Sequence, residues 1–365
     1  MEPFENIDEF LEIIDRPAFL VQGGVITRMN KMAERRNVVL GQEILKMLNS
    51  QCPEYQTFTD GILYLSVFLH TIECHATVRR YKEGDLFLLE RNYDYMQLQN
   101  LAMIAQKLRV PLTNMMAITD ELLPQMLTSE DSQERNQALQ YNKSFHQILH
   151  LLANMADAER YYDVRDPDYE VTNLTFFFNR IMSKLGPMVE EAGMKLNYTG
   201  AEKIRHGLAD KPKLERAVHN MLSNAIKFSP QGATIDVSTT IDGDRLRFIV
   251  RDYGDGFDET AWTTLYSRYQ RDTAVEDSRY GLGLGMMLIS NAARLHGGAV
   301  LLEKAEGYGT KISFCMRIHT GTSPLVRTPQ ITMTNYVGGR DPALVELSDV
   351  LPASAYDEVY PSSPV

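Results

Sequence analysis

Apolar residues recur at two spacings along this chain, and the change between them divides it. Up to about residue 92 the apolar runs are short. Residues 7–14 have the pattern of a brief helix. Pro17-Ala18-Phe19-Leu20-Val21 is a strand-like run, Gly23-Gly24 gives a turn, and Val25-Ile26-Thr27 returns as a second strand. A helix is expected over 30–36, and residues 76–78 and 86–89 alternate as hairpin strands do. From residue 94 to 125 the spacing becomes helical. Leu98, Leu101, Ala105, Leu108, Leu112, Met115, Thr119 and Leu122 repeat at steps of three and four, a heptad seam. A break is expected at Leu123-Pro124, followed by a polar turn. A second helix over 132–161 carries Phe145, Ile148, Leu149, Leu152, Met155 and Ala156 as its stripe. Two such helices make a hairpin, and a seam this long is buried best against a second copy, which predicts a homodimeric four-helix bundle.

After a polar connector at 163–168, helix and strand patterns alternate. A strand-like start at 169–174 precedes a helix over 176–192, and a strand is expected over 195–198. A helix through Leu214, Val218, Met221 and Leu222 leads to strands over 234–239, 245–251, 299–304 and 311–318. That order predicts an α/β sandwich with a mixed sheet. Residues 320–365 are rich in Pro, Ser and Thr and read as a flexible tail. An apolar patch at 343–351 interrupts it, able to dock on the body or on a partner. The expected organisation is thus α+β and multidomain: 1–92, 93–163, 169–319 and the tail 320–365.

Composition narrows the function. The 365 residues are 44% hydrophobic and 23% charged, with a net charge of −11 and no basic run. Clustered Lys and Arg are what nucleic-acid backbones require, so nucleic acid is not an expected partner. No stretch of about 18 apolar residues occurs, so no membrane insertion is expected. The N-terminus lacks the pattern of a secretory signal, and Cys52, Cys74 and Cys315 are scattered and odd in number. Both point to a cytoplasmic protein.

Four short elements carry chemistry. Asn220 and Asn224 stand one turn apart in the run Asn220-Met221-Leu222-Ser223-Asn224-Ala225-Ile226-Lys227-Phe228. An amide oxygen is a hard ligand suited to Mg²⁺, and it adds no charge against a triphosphate. Lys227 can meet phosphate oxygens. Asp252-Tyr253-Gly254-Asp255-Gly256-Phe257 follows a strand. Its glycines let backbone pass close to a flat ligand, and Asp252 can accept from an exocyclic amine. Gly281-Leu282-Gly283-Leu284-Gly285 opens a helix, where amides favour negative charge. Gly307-Tyr308-Gly309-Thr310 turns into the last strand, and the Thr310 hydroxyl is positioned to support Asp252. Taken singly, each has a plain alternative as surface residues or a turn.

In order and spacing these elements resemble the N, G1 and G2 boxes of the ATP-binding domain shared by histidine kinases and gyrase-type ATPases. Tyr266-Ser267-Arg268-Tyr269-Gln270-Arg271 resembles the histidine-kinase F box, and 270–280 would be the lid over ATP. The resemblance implies ATP and Mg²⁺ as cofactors, with Asn224 holding the metal. It assigns Asn220, Lys227, Phe228, Asp252, Gly254, Gly256, Gly281, Gly283, Gly285 and Thr310 to the nucleotide. Where ATP-hydrolysing relatives carry a glutamate as general base, this chain has Asn220, which cannot take a proton. That favours histidine-kinase character. Residues 1–92 resemble a PAS-type sensor domain through the segment PAFLVQGGVITRMN. A response regulator or partner kinase is the implied partner.

The first hairpin helix departs from the resemblance. Gln106-Lys107-Leu108-Arg109-Val110-Pro111-Leu112 resembles the H box, with Leu108, Arg109, Pro111 and Leu112 retained. Gln106 stands at the phosphoacceptor histidine and Lys107 at its acidic neighbour. An amide is no nucleophile, so phosphorylation at this position is not expected. His146 and His150, off the second helix's stripe, are alternative acceptors or a metal pair; two solvated histidines is the plainer expectation. His219 is expected near the nucleotide, and His296 at a helix end where it meets the dipole.

Overall fold

The computed structural model describes residues 7–90, 92–159, 167–256, 284–319 and 340–357. A short helix, α1 (Ile7–Ile13), leads into five strands: β1 (Ala18–Gln22), β2 (Val25–Met29), β3 (Ile62–Leu69), β4 (Ile72–Tyr81) and β5 (Gly84–Leu89). Between β2 and β3 lie the short helices α2 (Lys31–Glu34), α3 (Leu45–Leu48) and α4 (Cys52–Thr57). The expected helix over 30–36 is therefore a single turn, capped by the Asn30 side chain on the Ala33 N–H.

Two long helices follow, α5 (Asn92–Leu127) and α6 (Ser132–Glu159). The break expected at Pro124 does not occur: α5 runs through Pro111 and Pro124 to Leu127. Proline removes one hydrogen bond from a helix. Here Leu123 and Leu127 hold the last turn by packing against Ala138 of α6. The Thr128 N–H and hydroxyl then donate to the Pro124 carbonyl and end the helix.

The remaining elements are β6 (Glu170–Asn173), α7 (Leu174–Glu191), β7 (Lys195–Thr199), β8 (His206–Ala209), α8 (Lys211–Phe228), β9 (Thr234–Asp242), β10 (Arg245–Arg251), α9 (Gly285–Leu295), β11 (Val300–Lys304) and β12 (Thr310–Arg317). β10 shows why this sequence forms a one-sided sheet. Leu246, Phe248 and Val250 are buried, while the intervening residues are partly or fully exposed, the period-two pattern of a strand. Helices α7, α8 and α9 bury their apolar faces in the same core as these strands. β7 pairs parallel with β9 and the other pairs are antiparallel, so the sheet is mixed.

One feature of the topology lies outside the sequence expectation. The strands join in a single ten-stranded sheet, ordered β2-β1-β5-β4-β3-β11-β12-β10-β9-β7. The join is the β3–β11 ladder, Ile62 to Leu302 through Tyr64 to Val300. Side chains reinforce it. Gln51 donates to the Gly298 carbonyl at 2.9 Å and accepts from the Ser66 N–H at 2.7 Å. Arg294 pairs with Glu73 at 2.9 Å, and Arg245 with Glu54 at 3.1 Å.

A second departure concerns the segment read as a flexible tail. Residues 340–357 are folded, with a short helix α10 (Pro342–Glu346) and a 3₁₀ turn at Ala353–Tyr356. Asp341 caps α10 by accepting from the Ala343 N–H, and Pro342 follows the cap. Leu344, Leu347, Leu351 and Tyr356 are buried in the main core, and Val345 packs against Phe145 and Leu149 of α6 and Leu112 and Met116 of α5. Burial of the apolar patch at 343–351 is the physical reason the segment orders. No helix among the described residues is long and apolar enough to cross a membrane.

Candidate functional site

The site is built where α8, β10, α9 and β12 meet. Asp210 caps α8 by accepting from the Lys213 N–H at 3.2 Å, and its carboxylate also pairs with the Lys213 ammonium. Leu214, Val218, Met221, Leu222 and Ala225 then face the core. That register leaves Asn220 and Asn224 on the adjoining side, facing the start of α9. A Cβ added at Gly285 would sit 3.0 Å from Asn220 Oδ1 and 3.9 Å from Asn224 Nδ2. The first turn of α9 therefore approaches both amides, and closely in the case of Asn220.

Asp252 lies directly after β10 and is buried. Its Oδ1 accepts from the Gly254 N–H at 3.0 Å and the Thr310 N–H at 2.9 Å. Burial pushes this carboxyl's pKa up, and the two amides pull it back. The support expected from the Thr310 hydroxyl is supplied instead by its backbone N–H. Two glycines are needed for this closeness. A Cβ at Gly254 would lie 1.9 Å from the Phe228 carbonyl oxygen. One at Gly309, whose φ is +94°, would lie 2.0 Å from the Asp252 carbonyl oxygen. Asp252, Gly254, Phe228 and Thr310 are thus gathered at the C-terminal end of α8, beside partly buried Lys227. Gly256 has a φ of +77°. Gly281, Gly283, the F-box-like run and the lid segment lie outside the described residues.

Residues 209–320 match the family profile described as "Histidine kinase-, DNA gyrase B-, and HSP90-like ATPase". The circadian input-output histidine kinase CikA of Synechococcus elongatus is 27% identical over 241 residues, 63% of this chain and 31% of that protein. The sensor histidine kinase YvrG of Bacillus subtilis is 27% identical over 148 residues, 40% of this chain and 26% of that protein. These matches support a sensor histidine kinase family. The chain spans about a third or less of the length of these two relatives. Among solved structures, full-length ShkA in complex with AMPPNP aligns with a TM-score of 0.47 at 22% identity, over 62% of this chain and 47% of that one.

On the helical hairpin, Gln106 and Lys107 of α5 are exposed. Of the expected seam, Ala105 and Thr119 are buried, Thr119 with its hydroxyl 2.8 Å from that of Tyr141 on α6, while Leu108, Met115 and Leu122 are exposed alongside Met103, Ile104, Val110 and Ile118.

The expectation of two solvated histidines on α6 is corrected. His146 and His150 are 1% and 7% exposed because the segment 340–357 covers them. His146 Nδ1 lies 2.8 Å from the Asn142 carbonyl, and its ring packs on Tyr356 at 4.8 Å. Burial lowers its pKa to about 4. His150 stands 3.5 Å from Glu346 and 3.6 Å from Asp349. Burial alone would lower its pKa, but the carboxylates of Asp349 and Glu346 raise it to about 9. Asn154 competes for the same ring nitrogen. Its Oδ1 accepts from Arg216 at 2.7 Å, so its NH₂ must face His150 Nε2, 2.9 Å away, and that contact is a hydrogen bond only while Nε2 is unprotonated. Among the described residues no group of three His, Cys, Asp or Glu side chains is placed to hold a metal.

His296 stands at the C-cap of α9, the helix end expected of it. Its Nδ1 donates to the Ala292 carbonyl at 2.7 Å, while Nε2 accepts from the Asp210 N–H at 3.0 Å. Burial lowers its pKa to about 4, so the ring is a neutral strut between α9 and α8 and brings no charge to the helix dipole. His219 is buried within α8, and burial lowers its pKa.

Sequence reasoning missed two residues at the site. Arg216, one turn before Asn220, pairs with Asp157 of α6 and, through Nε at 2.9 Å, with Glu346. Glu346 Oε2 in turn accepts from Asn220 Nδ2 at 3.1 Å. The Asp341-Pro342 pair is a helix-start signal. Read together with the apolar patch, it would have marked Glu346 as lying on a folded element.

Proposed function

We propose that this chain is a homodimeric, cytoplasmic signalling protein of the sensor histidine kinase type that binds Mg-ATP and does not phosphorylate its own hairpin at Gln106. One observation carries the reading. The amides of Asn220 and Asn224 converge on the glycine that opens α9, within the same fold that buries Asp252 on two backbone amides. A carboxylate held this way suits an exocyclic amine of the base, and a helix N-terminus suits phosphates. The two asparagine amides supply uncharged hard oxygens for Mg²⁺. Asn224 is the metal ligand of choice. Asn220, Lys227, Phe228, Gly254, Gly256, Gly281, Gly283, Gly285 and Thr310 complete the nucleotide site. When bound, Mg²⁺ neutralises charge on the triphosphate.

The exposed apolar stripe of α5 supports a dimer formed by the hairpin, since a stripe this long is best buried against a second copy. The strand order β2-β1-β5-β4-β3, with its helices between β2 and β3, supports the reading of residues 1–92 as a PAS-like sensor. The partner in this reading is a response regulator or a kinase whose histidine takes the phosphate. A second reading is favoured by Gln106 itself: a pseudokinase that regulates a partner through ATP occupancy and dimer contacts. Incubation with γ-labelled ATP and candidate partners separates the two. Acid-labile label on a partner supports transfer. Nucleotide binding with no label anywhere supports the pseudokinase.

A further inference from the structure

The feature left unused by this reading is Glu346, a carboxylate buried to 1% exposure at the edge of the nucleotide site. We propose that Glu346 is a positioning residue of that site, supplied by the segment 340–357, which sets the orientation of the Asn220 amide and so makes the site selective for metal-bound nucleotide. The proposal rests on the Mg-ATP reading above.

The argument is one of donors and acceptors. Asn220 Nδ2 lies 3.0 Å from the Arg216 carbonyl oxygen and 3.1 Å from Glu346 Oε2. A carbonyl only accepts, and an ionised carboxylate only accepts. Arg216 Nε at 2.9 Å holds Glu346 in its ionised form. The nitrogen of the Asn220 amide must therefore face these two groups, and its Oδ1 must face the other way, toward Gly285. Chemistry alone fixes this assignment. A bare amide oxygen there coordinates a metal ion or accepts from its water, and it repels bare phosphate oxygens. With Glu346 gone, Arg216 becomes the only acceptor holding the amide. The side chain is then freer to turn its NH₂ toward phosphates, which favours metal-free nucleotide.

Two contacts fix Glu346 itself. Asp341 caps the short helix that carries it and is anchored by Lys184 at 2.6 Å. Val345, beside it, is fully buried between α5 and α6.

The test is calorimetric titration of the full chain with ADP, with and without Mg²⁺. The wild type is expected to bind more tightly with the metal. Glu346→Ala is expected to weaken Mg-ADP by about tenfold, the scale of a hydrogen bond to a charged group, and to leave metal-free ADP bound at least as tightly as in the wild type. Glu346→Gln, which can still present an oxygen to Asn220, is expected to recover most of the loss. Val345→Asp undocks the segment and leaves Arg216 and His150 to water, so it should show the same selective loss even where Glu346→Ala folds poorly. Equal weakening with and without metal would mean a purely structural role and overturn the proposal, as would unchanged binding in Val345→Asp. A wild type that binds no nucleotide under either condition would instead remove the Mg-ATP reading beneath it.

Discussion

Glu346 lies 3.1 Å from the side-chain nitrogen of Asn220, although 126 residues separate them along the chain. Through Arg216, Asn154 and Asp157 the same carboxylate is tied to α6 of the hairpin. Hairpin, α8 and the segment 340–357 therefore share one buried polar cluster, and a change in any member is felt by the others.

The first consequence concerns pH. His150, raised to about 9, sits above its ordinary value. Its contribution to docking of the segment is complete below about pH 6.5 and is lost as pH rises through about 9. Glu346 has the opposite sense: burial would raise its pKa, but Arg216 and His150 lower it to about 2, so its contribution persists until strong acid. Hydrogen exchange of amides 343–351, corrected for base catalysis, should quicken between pH 6.5 and 9.5. The effect should vanish in His150→Gln. Uniform protection across that range would contradict the assignment.

The second concerns assembly. Leu108, Ile118 and Leu122 are 45%, 58% and 51% exposed on α5. Leu108→Glu combined with Ile118→Glu should convert a dimer to a folded monomer, read by light scattering. An unchanged dimer would place the interface elsewhere.

The individual elements were legible because they rest on local pattern. β10 matches its expected span, and α7, β7, β9, β11 and β12 lie within a few residues of theirs. What was not legible depends on distant partners. The β3–β11 join needs two strands about 240 residues apart in sequence to meet, and no local pattern encodes that. His146 and His150 looked solvated because their cover comes from Tyr356, Glu346 and Asp349. Pro124 looked like a helix end because the packing of Leu123 and Leu127 that outweighs it is tertiary.

A third prediction tests the backbone of the Asp252 pocket. Gly309→Ala places a methyl 2.0 Å from the Asp252 carbonyl at a φ of +94°. Such strain costs about 1–3 kcal/mol before the clash is counted. The variant should melt several degrees lower and bind nucleotide weakly. Gly307→Ala, where a Cβ meets nothing within 4 Å at a φ of +90°, carries the backbone strain alone and should be milder. Equal effects would mean the close approach is not what matters.

A fourth concerns chemistry. Gln106 and Lys107 are exposed, so Gln106→His with Lys107→Glu should cost under about 0.5 kcal/mol of stability. The pair restores an imidazole nucleophile and a carboxylate to orient it. Acid-labile, base-stable labelling from γ-labelled ATP should appear in the double variant only. A silent double variant would favour the pseudokinase. A strongly labelled wild type would show that the loss of histidine at 106 does not silence this chain.

The central claim is that Asn220, Asn224 and Asp252 form a Mg-ATP site, and nucleotide titration of Asn224→Asp tests it most directly. A carboxylate at this position adds repulsion against the triphosphate and changes the metal's surroundings. The account predicts that the wild type binds Mg-ATP, and that the variant keeps its melting transition while losing measurable affinity. Undiminished Mg-ATP affinity in a folded Asn224→Asp chain would contradict it.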